Sequence, residues 1–138
     1  MDYSLFEDAK CISMIYKEKM PDLQNVEIVK MVITPGEDAE IRITLDTLEL
    51  PQNMPSKWLL QEINTVQLEI AFIGIELIDF NLTNGMNCHF AISNNKGRKH
   101  VCITNIADGK KISLDAKWIY VKQISAYIKQ TSDEEQWI

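Results

Sequence analysis

The chain of 138 residues has little of what would build a site by itself: two histidines, three cysteines, five glycines and four prolines. Cys11, Cys88 and Cys102 are odd in number and far apart, which excludes a disulfide framework and a CxxC metal knuckle and fits three reduced thiols in a cytosol. No GxSxG, HExxH, P-loop or GxGxxG pattern occurs, so no nucleophile elbow, zinc helix or phosphate cradle is encoded locally. Long apolar runs are also missing. The longest, "IAFIGIELI" at 70–78, carries Glu76 and falls far short of the roughly 20 residues that span a bilayer. The opening "MDYSLFEDAK" has acids where a secretion signal needs a basic start, so a cytoplasmic protein with no membrane contact is expected.

What is present describes an ordinary globular chain, 46% hydrophobic and 25% charged. A single domain of this length buries roughly 68% of its unfolded surface. The net charge of −6 is unevenly spread. Residues 1–79 carry 15 acids against 6 bases, whereas residues 80–138 carry 5 against 8. An acidic front half argues against nucleic-acid binding, which relies on Lys and Arg at phosphates, and suits attraction to a basic partner.

Along the chain, "SLFEDAKCISMIYKEKM" begins with a possible capping box, Ser4 with Glu7. Leu5, Ala9, Ile12 and Tyr16 then form one stripe of a helix that Pro21 closes, which predicts an N-terminal helix within residues 1–20. Residues 26–128 read as an antiparallel β-rich body and 129–138 as a tail. "VEIVKMVIT" and "AEIRITLDTLEL", joined by the turn "PGED", form a hairpin with Ile41, Ile43 and Leu45 inward. A Pro-containing loop, "PQNMPSKW", follows. In "TVQLEIAFIGIELIDFNL" the inward set starts as Val66, Leu68, Ile70 and Phe72, then shifts to Ile73, Ile75 and Leu77, and again to Ile78, Phe80 and Leu82. A strand keeps one phase, so a bulge near Gly74 or a break near Leu77 is expected.

"MNCHFAIS" places Met86, Cys88, Phe90 and Ile92 on one face and His89 on the other. "NNKG" and Asp108-Gly109 are hairpin turns. The closing "AKWIYVKQISAYI" is a strand to about Gln123, and between strand and helix over 122–129 the pattern is undecided. Trp58 and Trp118 are assigned to the core and Trp137 to a docked tail. The fold expected is α+β: an N-terminal helix packed on a bent or two-layered antiparallel sheet.

Candidate functional residues are then few. Glu37, Asp38 and Glu40 cluster at the first hairpin turn, and with Asp46 and Glu49 they are the acids expected to meet a partner. His89 with Glu69, Glu76 or Asp79 is the alternative, a ligand-binding or enzymatic cleft. A homo-oligomeric subunit is a third reading, for which the cue is an exposed apolar strand edge. No cofactor or metal is expected.

The junction "PDLQNVEIV", with "VQLEIAFIGIELIDFNLTNGMN" and "AKWIYVKQISAYI", resembles the immunity protein 50 family of bacterial polymorphic-toxin systems over about residues 12–128. Pro21 and Glu27 match the ends of that family's first segment, and Phe72, Gly74, Ile75, Phe80 and Asn81 suit its second. Leu23 stands where an aromatic is usual, and Gln24, Asn25 and Val26 where His, Asp and Ala are. The resemblance implies a cytosolic protein that binds and neutralises a cognate toxin domain rather than an enzyme. The junction is then expected to orient the helix against the sheet.

Overall fold

The computed structural model describes residues 1–81 and 87–130. Leu82, Met86, the tail from 131 onward and the docking of Trp137 lie outside the described residues. A 3-10 turn at Tyr3–Leu5 precedes helix α1, Lys10–Tyr16. The strands are β1 Val26–Thr34, β2 Glu40–Thr47, β3 Thr65–Ile73, β4 Glu76–Phe80, β5 Asn87–Asn95, β6 Arg98–Asn105, β7 Lys111–Ala116 and β8 Trp118–Tyr127, with helix α2, Ser56–Gln61, between β2 and β3.

Among the described residues, all eight strands belong to one antiparallel sheet, ordered β4-β7-β6-β5-β1-β2-β3-β8. Only Gly74 and Ile75 separate β3 from β4, and only Lys117 separates β7 from β8, so each pair is one long kinked strand. These two kinked strands pair with each other on both sides of the kink, from Thr65↔Tyr127 to Phe80↔Ile112. The ladder therefore returns to itself, and the remaining seam is the short β1–β5 contact at Val26↔Cys88 and Glu27↔Asn87. The bent sheet expected from the sequence thus closes around a single core. That core takes Ile41, Ile43 and Leu45 from β2, Val66, Leu68, Ile70 and Phe72 from β3, Ile103 from β6 and Leu114 from β7, all fully buried.

The phase shift in the third strand is resolved at Gly74, whose φ of +67° is a region that suits glycine. Gly74 and Ile75 donate their N–H groups to the Ala39 carbonyl at 2.9 and 3.2 Å, and the Arg98 guanidinium donates to the Gly74 carbonyl at 2.8 Å. The inward assignment of Phe80 is corrected: it is 38% exposed. All of β4 is exposed because, among the described residues, it pairs only with β7 and runs past the end of the β1–β2 hairpin.

Three further expectations are corrected. The N-terminal helix is much shorter than residues 1–20. The Ser4–Glu7 box does not form, because Glu7 accepts the Ile119 N–H at 3.0 Å and pairs with Lys99 instead of reaching back. The helix starts where the Asp8 carboxylate accepts the Lys10 N–H at 3.0 Å, and it stops at Lys17, whose φ is +60°. The loop after β2 contains α2, none of whose residues is buried; Trp58 only half-packs on the core. Trp118, assigned to the core, is 38% exposed, with the Lys117 ammonium 5.6 Å from its ring. Over 122–127 the last segment is strand, because β8 keeps pairing with β3 to Tyr127.

Candidate partner-binding groove at the barrel mouth

The starts of β1, β3 and β5 and the ends of β2 and β8 meet at one mouth of the barrel. They surround a groove of about 720 Å³ lined by Asn25, Glu27, Asp46, Leu48, Asn64, Thr65, Asn87, Lys129 and Gln130. Asp46 is its buried element, only 4% exposed. Alternation places Asp46 outward on β2, yet it sinks among long polar side chains from neighbouring strands. Its Oδ1 accepts from Gln67 Nε2 at 3.0 Å; its Oδ2 accepts from the Tyr127 hydroxyl at 2.5 Å and from Lys129 Nζ at 3.0 Å. Lys129 also pairs with Glu27. A buried carboxylate without such partners would be costly, and here three donors satisfy it.

The main chain of Lys129 is held independently of its side chain. Its N–H donates to Asn64 Oδ1 at 2.7 Å and its carbonyl accepts from Asn64 Nδ2 at 3.1 Å, while Thr65 Oγ1 donates to the same Asn64 oxygen at 2.9 Å. The charges leave their mark on titration. Burial, followed by the hydrogen bond and charge of Asp46, pushes the Tyr127 phenol up to about 12. Burial works against the charged form of Lys129, but the bonds to Glu27 and Asp46 outweigh it and raise its ammonium well above the usual lysine range.

The five acids proposed from the sequence fall into three places. Glu37, Asp38 and Glu40 lie at the β1–β2 turn, whereas Asp46 is at the other end of β2, six residues or about 20 Å away. Glu37 is exposed. Asp38 is 3.7 Å from Lys117, and Glu40 is held at 3.2 Å by Arg42, which also binds Glu69 at 3.1 Å. Glu49 faces the junction: its carboxylate accepts the N–H groups of Asp22 and Leu23 at 2.9 and 3.0 Å. It thereby fixes Leu23 at a φ of +57°, a strained value for a leucine.

Around it, the Tyr16 hydroxyl donates to the Glu49 carbonyl at 2.5 Å, the Tyr3 hydroxyl donates to the Pro21 carbonyl at 2.6 Å, and Phe90 N–H donates to the Leu23 carbonyl at 3.0 Å. The junction locks the N-terminal segment onto the sheet, and two of its polar residues, Asn25 and Glu27, line the groove. Of the other motif residues, Pro21 and Phe72 are buried, and Asn81 is exposed and donates its N–H to the Lys111 carbonyl at 3.2 Å.

The histidine cleft does not assemble. His89 lies on β5 opposite Thr104 of β6, Glu69 lies on β3 bound to Arg42, and Glu76 and Asp79 are on β4. His100 has a partner that sequence reading missed: its Nδ1 is 2.9 Å from Asp115 Oδ1. The two are direct cross-strand neighbours in a register that pairs Thr104 with Lys111, whereas a two-residue turn at Asp108-Gly109 would have set Cys102 against Asp115. Among the described residues, no group of three or more His, Cys, Asp or Glu side chains could hold a metal ion, and no helix is long and apolar enough to cross a membrane.

A family model described as Immunity protein 50 matches residues 8–127. The chain belongs to the Immunity protein 50 family. No match was found among curated proteins or among solved structures. Membership assigns this immunity-family chain an immunity role, and that role implies a toxin partner in general terms. The matched span holds Asn25, Glu27, Asp46, Asn64, Thr65, Asn87 and Tyr127, whereas Lys129 and Gln130 lie just past it.

Proposed function

We propose that this immunity protein acts in the cytoplasm, where it binds a cognate toxin domain and neutralises it by covering its active site. The observation that carries this reading is the groove, a recess lined by Glu27 and Asp46 at the mouth of a barrel in a chain with an immunity role. Complementary charge speeds encounter and selects partners, so the acidic front half suits a toxin face rich in Lys and Arg. The turn acids Glu37, Asp38 and Glu40 extend that field, while Asp46, which is buried, and Glu49 are bound to groups within the fold. Three free thiols are compatible with a reducing compartment.

The test is co-expression in bacterial cells with the toxin domain encoded beside this chain. Protected growth, with a 1:1 complex on gel filtration, is the expected result. Cell death despite folded protein would refute the proposal.

One feature favours a second reading. A groove of about 720 Å³ with converging polar groups is large enough for a small ligand, since ligand pockets start at about 300 Å³. The two readings separate on the occupant of the groove: a 1:1 complex with the toxin domain supports covering, whereas a small molecule retained by the purified chain, with no toxin complex, supports a ligand pocket.

A further inference from the structure

Lys129 places an ammonium between Glu27 and Asp46, inside a groove that opens to solvent. We propose that Lys129 is an internal stand-in, and that the groove receives an arginine side chain of the toxin once the Lys129 side chain swings out. This deepens the toxin-binding reading and rests on it.

Four observations support the exchange. The backbone of Lys129 is clamped by Asn64 through two hydrogen bonds, so the side chain can leave by bond rotation while the chain stays in place. Asp46 is buried and already receives Tyr127 and Gln67; it needs a cation on its groove side, and replacing one cation by another never leaves it unpaired. A guanidinium suits the position better than an ammonium, because its planar fork of five donors can serve two carboxylates at once, in a groove that Asn25 and Asn87 also line. Finally, Leu48 in the groove wall is 74% exposed and Ile128, beside Lys129, is 58% exposed. Apolar groups around a charged centre exclude water in protein interfaces, which favours an arginine carried by a protein over a free small cation.

Lys129→Met keeps the aliphatic stem and removes the competing charge. Titrated with N-acetyl-L-arginine amide, this variant should bind the probe at least tenfold more tightly than the wild-type chain and recover melting temperature as the probe is added. Asp46→Asn combined with Lys129→Met should abolish both effects. Glu27→Gln, at an exposed residue whose change leaves the core intact, should weaken association with the toxin domain by tenfold or more.

A Lys129→Met chain that folds yet binds the probe no better than wild type would overturn the exchange. So would a toxin that binds wild type and the Glu27→Gln variant equally, an outcome that leaves the immunity reading standing. A toxin that wild type does not bind would remove that reading and this proposal together, and the probe titration, which needs no toxin, tells the two failures apart.

Discussion

Replacing Gly74 with alanine should destabilise the protein by about 2–5 kcal/mol, more than its conformation alone requires. Two contributions add. The φ of +67° costs an L-residue about 1–2 kcal/mol. The new Cβ would then lie 2.8, 2.9 and 3.0 Å from Cδ, Cγ and Cβ of Lys117. The outer two atoms can move, because the Lys117 side chain is about half exposed, but its Cβ is fixed by a backbone whose N–H donates to the Ile73 carbonyl at 3.0 Å. Relieving that overlap costs about 1–3 kcal/mol by the usual penalty for overpacking. Gly97→Ala is the control: its φ is +84° and nothing lies within 4 Å of the added Cβ, so only the conformational cost of about 1–2 kcal/mol applies.

Urea denaturation measures both, with slopes of about 1–3 kcal/mol per molar for a chain of this size. Adding Lys117→Ala to Gly74→Ala should recover part of the loss, a coupling of at least about 0.5 kcal/mol. Equal losses for the two glycine variants, with no coupling to Lys117, would refute the view that the sheet turns through a tightly packed corner at this residue.

The two phenylalanines of the family motif should separate: Phe72→Ala should lower stability by about 3–5 kcal/mol and Phe80→Ala by about 1 kcal/mol or less, since one is fully buried and the other 38% exposed, and equal urea midpoints would contradict these assignments. Stability should also fall on the alkaline side. Tyr127 keeps its proton to about 12 in the folded chain but loses it near 10 when unfolded, so its contribution is complete below pH 10 and disappears as pH rises through 12. Tyr127→Phe should flatten that part of the stability profile, and an unchanged slope would show that the phenol does not carry it. Converting Glu37, Asp38 and Glu40 to their amides should slow toxin association and weaken its salt dependence while dissociation hardly changes, because exposed charges act through a screening length of about 8 Å at physiological salt. Identical stopped-flow rates at low and high salt would exclude this turn from the interface.

Strands were legible because alternation over β2 and the first half of β3 leaves little choice: Ile41, Ile43, Leu45, Val66, Leu68, Ile70 and Phe72 all point inward as expected. The shift of phase near Gly74 was legible as a break, but its meaning, closure of the sheet, depends on pairings between residues up to about 60 positions apart. The short N-terminal helix was hidden for a similar reason. Glu7 satisfies every local rule for a capping box, and a contact with Ile119 and Lys99 outcompetes it.

The groove was half legible. Asn25, Glu27 and Asp46 stood out as polar residues, but Tyr127 and Lys129 could not be placed while 122–129 remained undecided between strand and helix. Asp46 also read as an ordinary outward acid, since its burial comes from Gln67, Tyr127 and Lys129 folding over it rather than from its position on the strand.

The central claim, neutralisation by covering, is tested most directly by titrating a fixed amount of the cognate toxin domain with the purified protein and following toxin activity. Binding in a 1:1 complex predicts a linear loss of activity that reaches zero at one equivalent. Inactivation of many equivalents of toxin by one of this protein, or full toxin activity at excess, would contradict it.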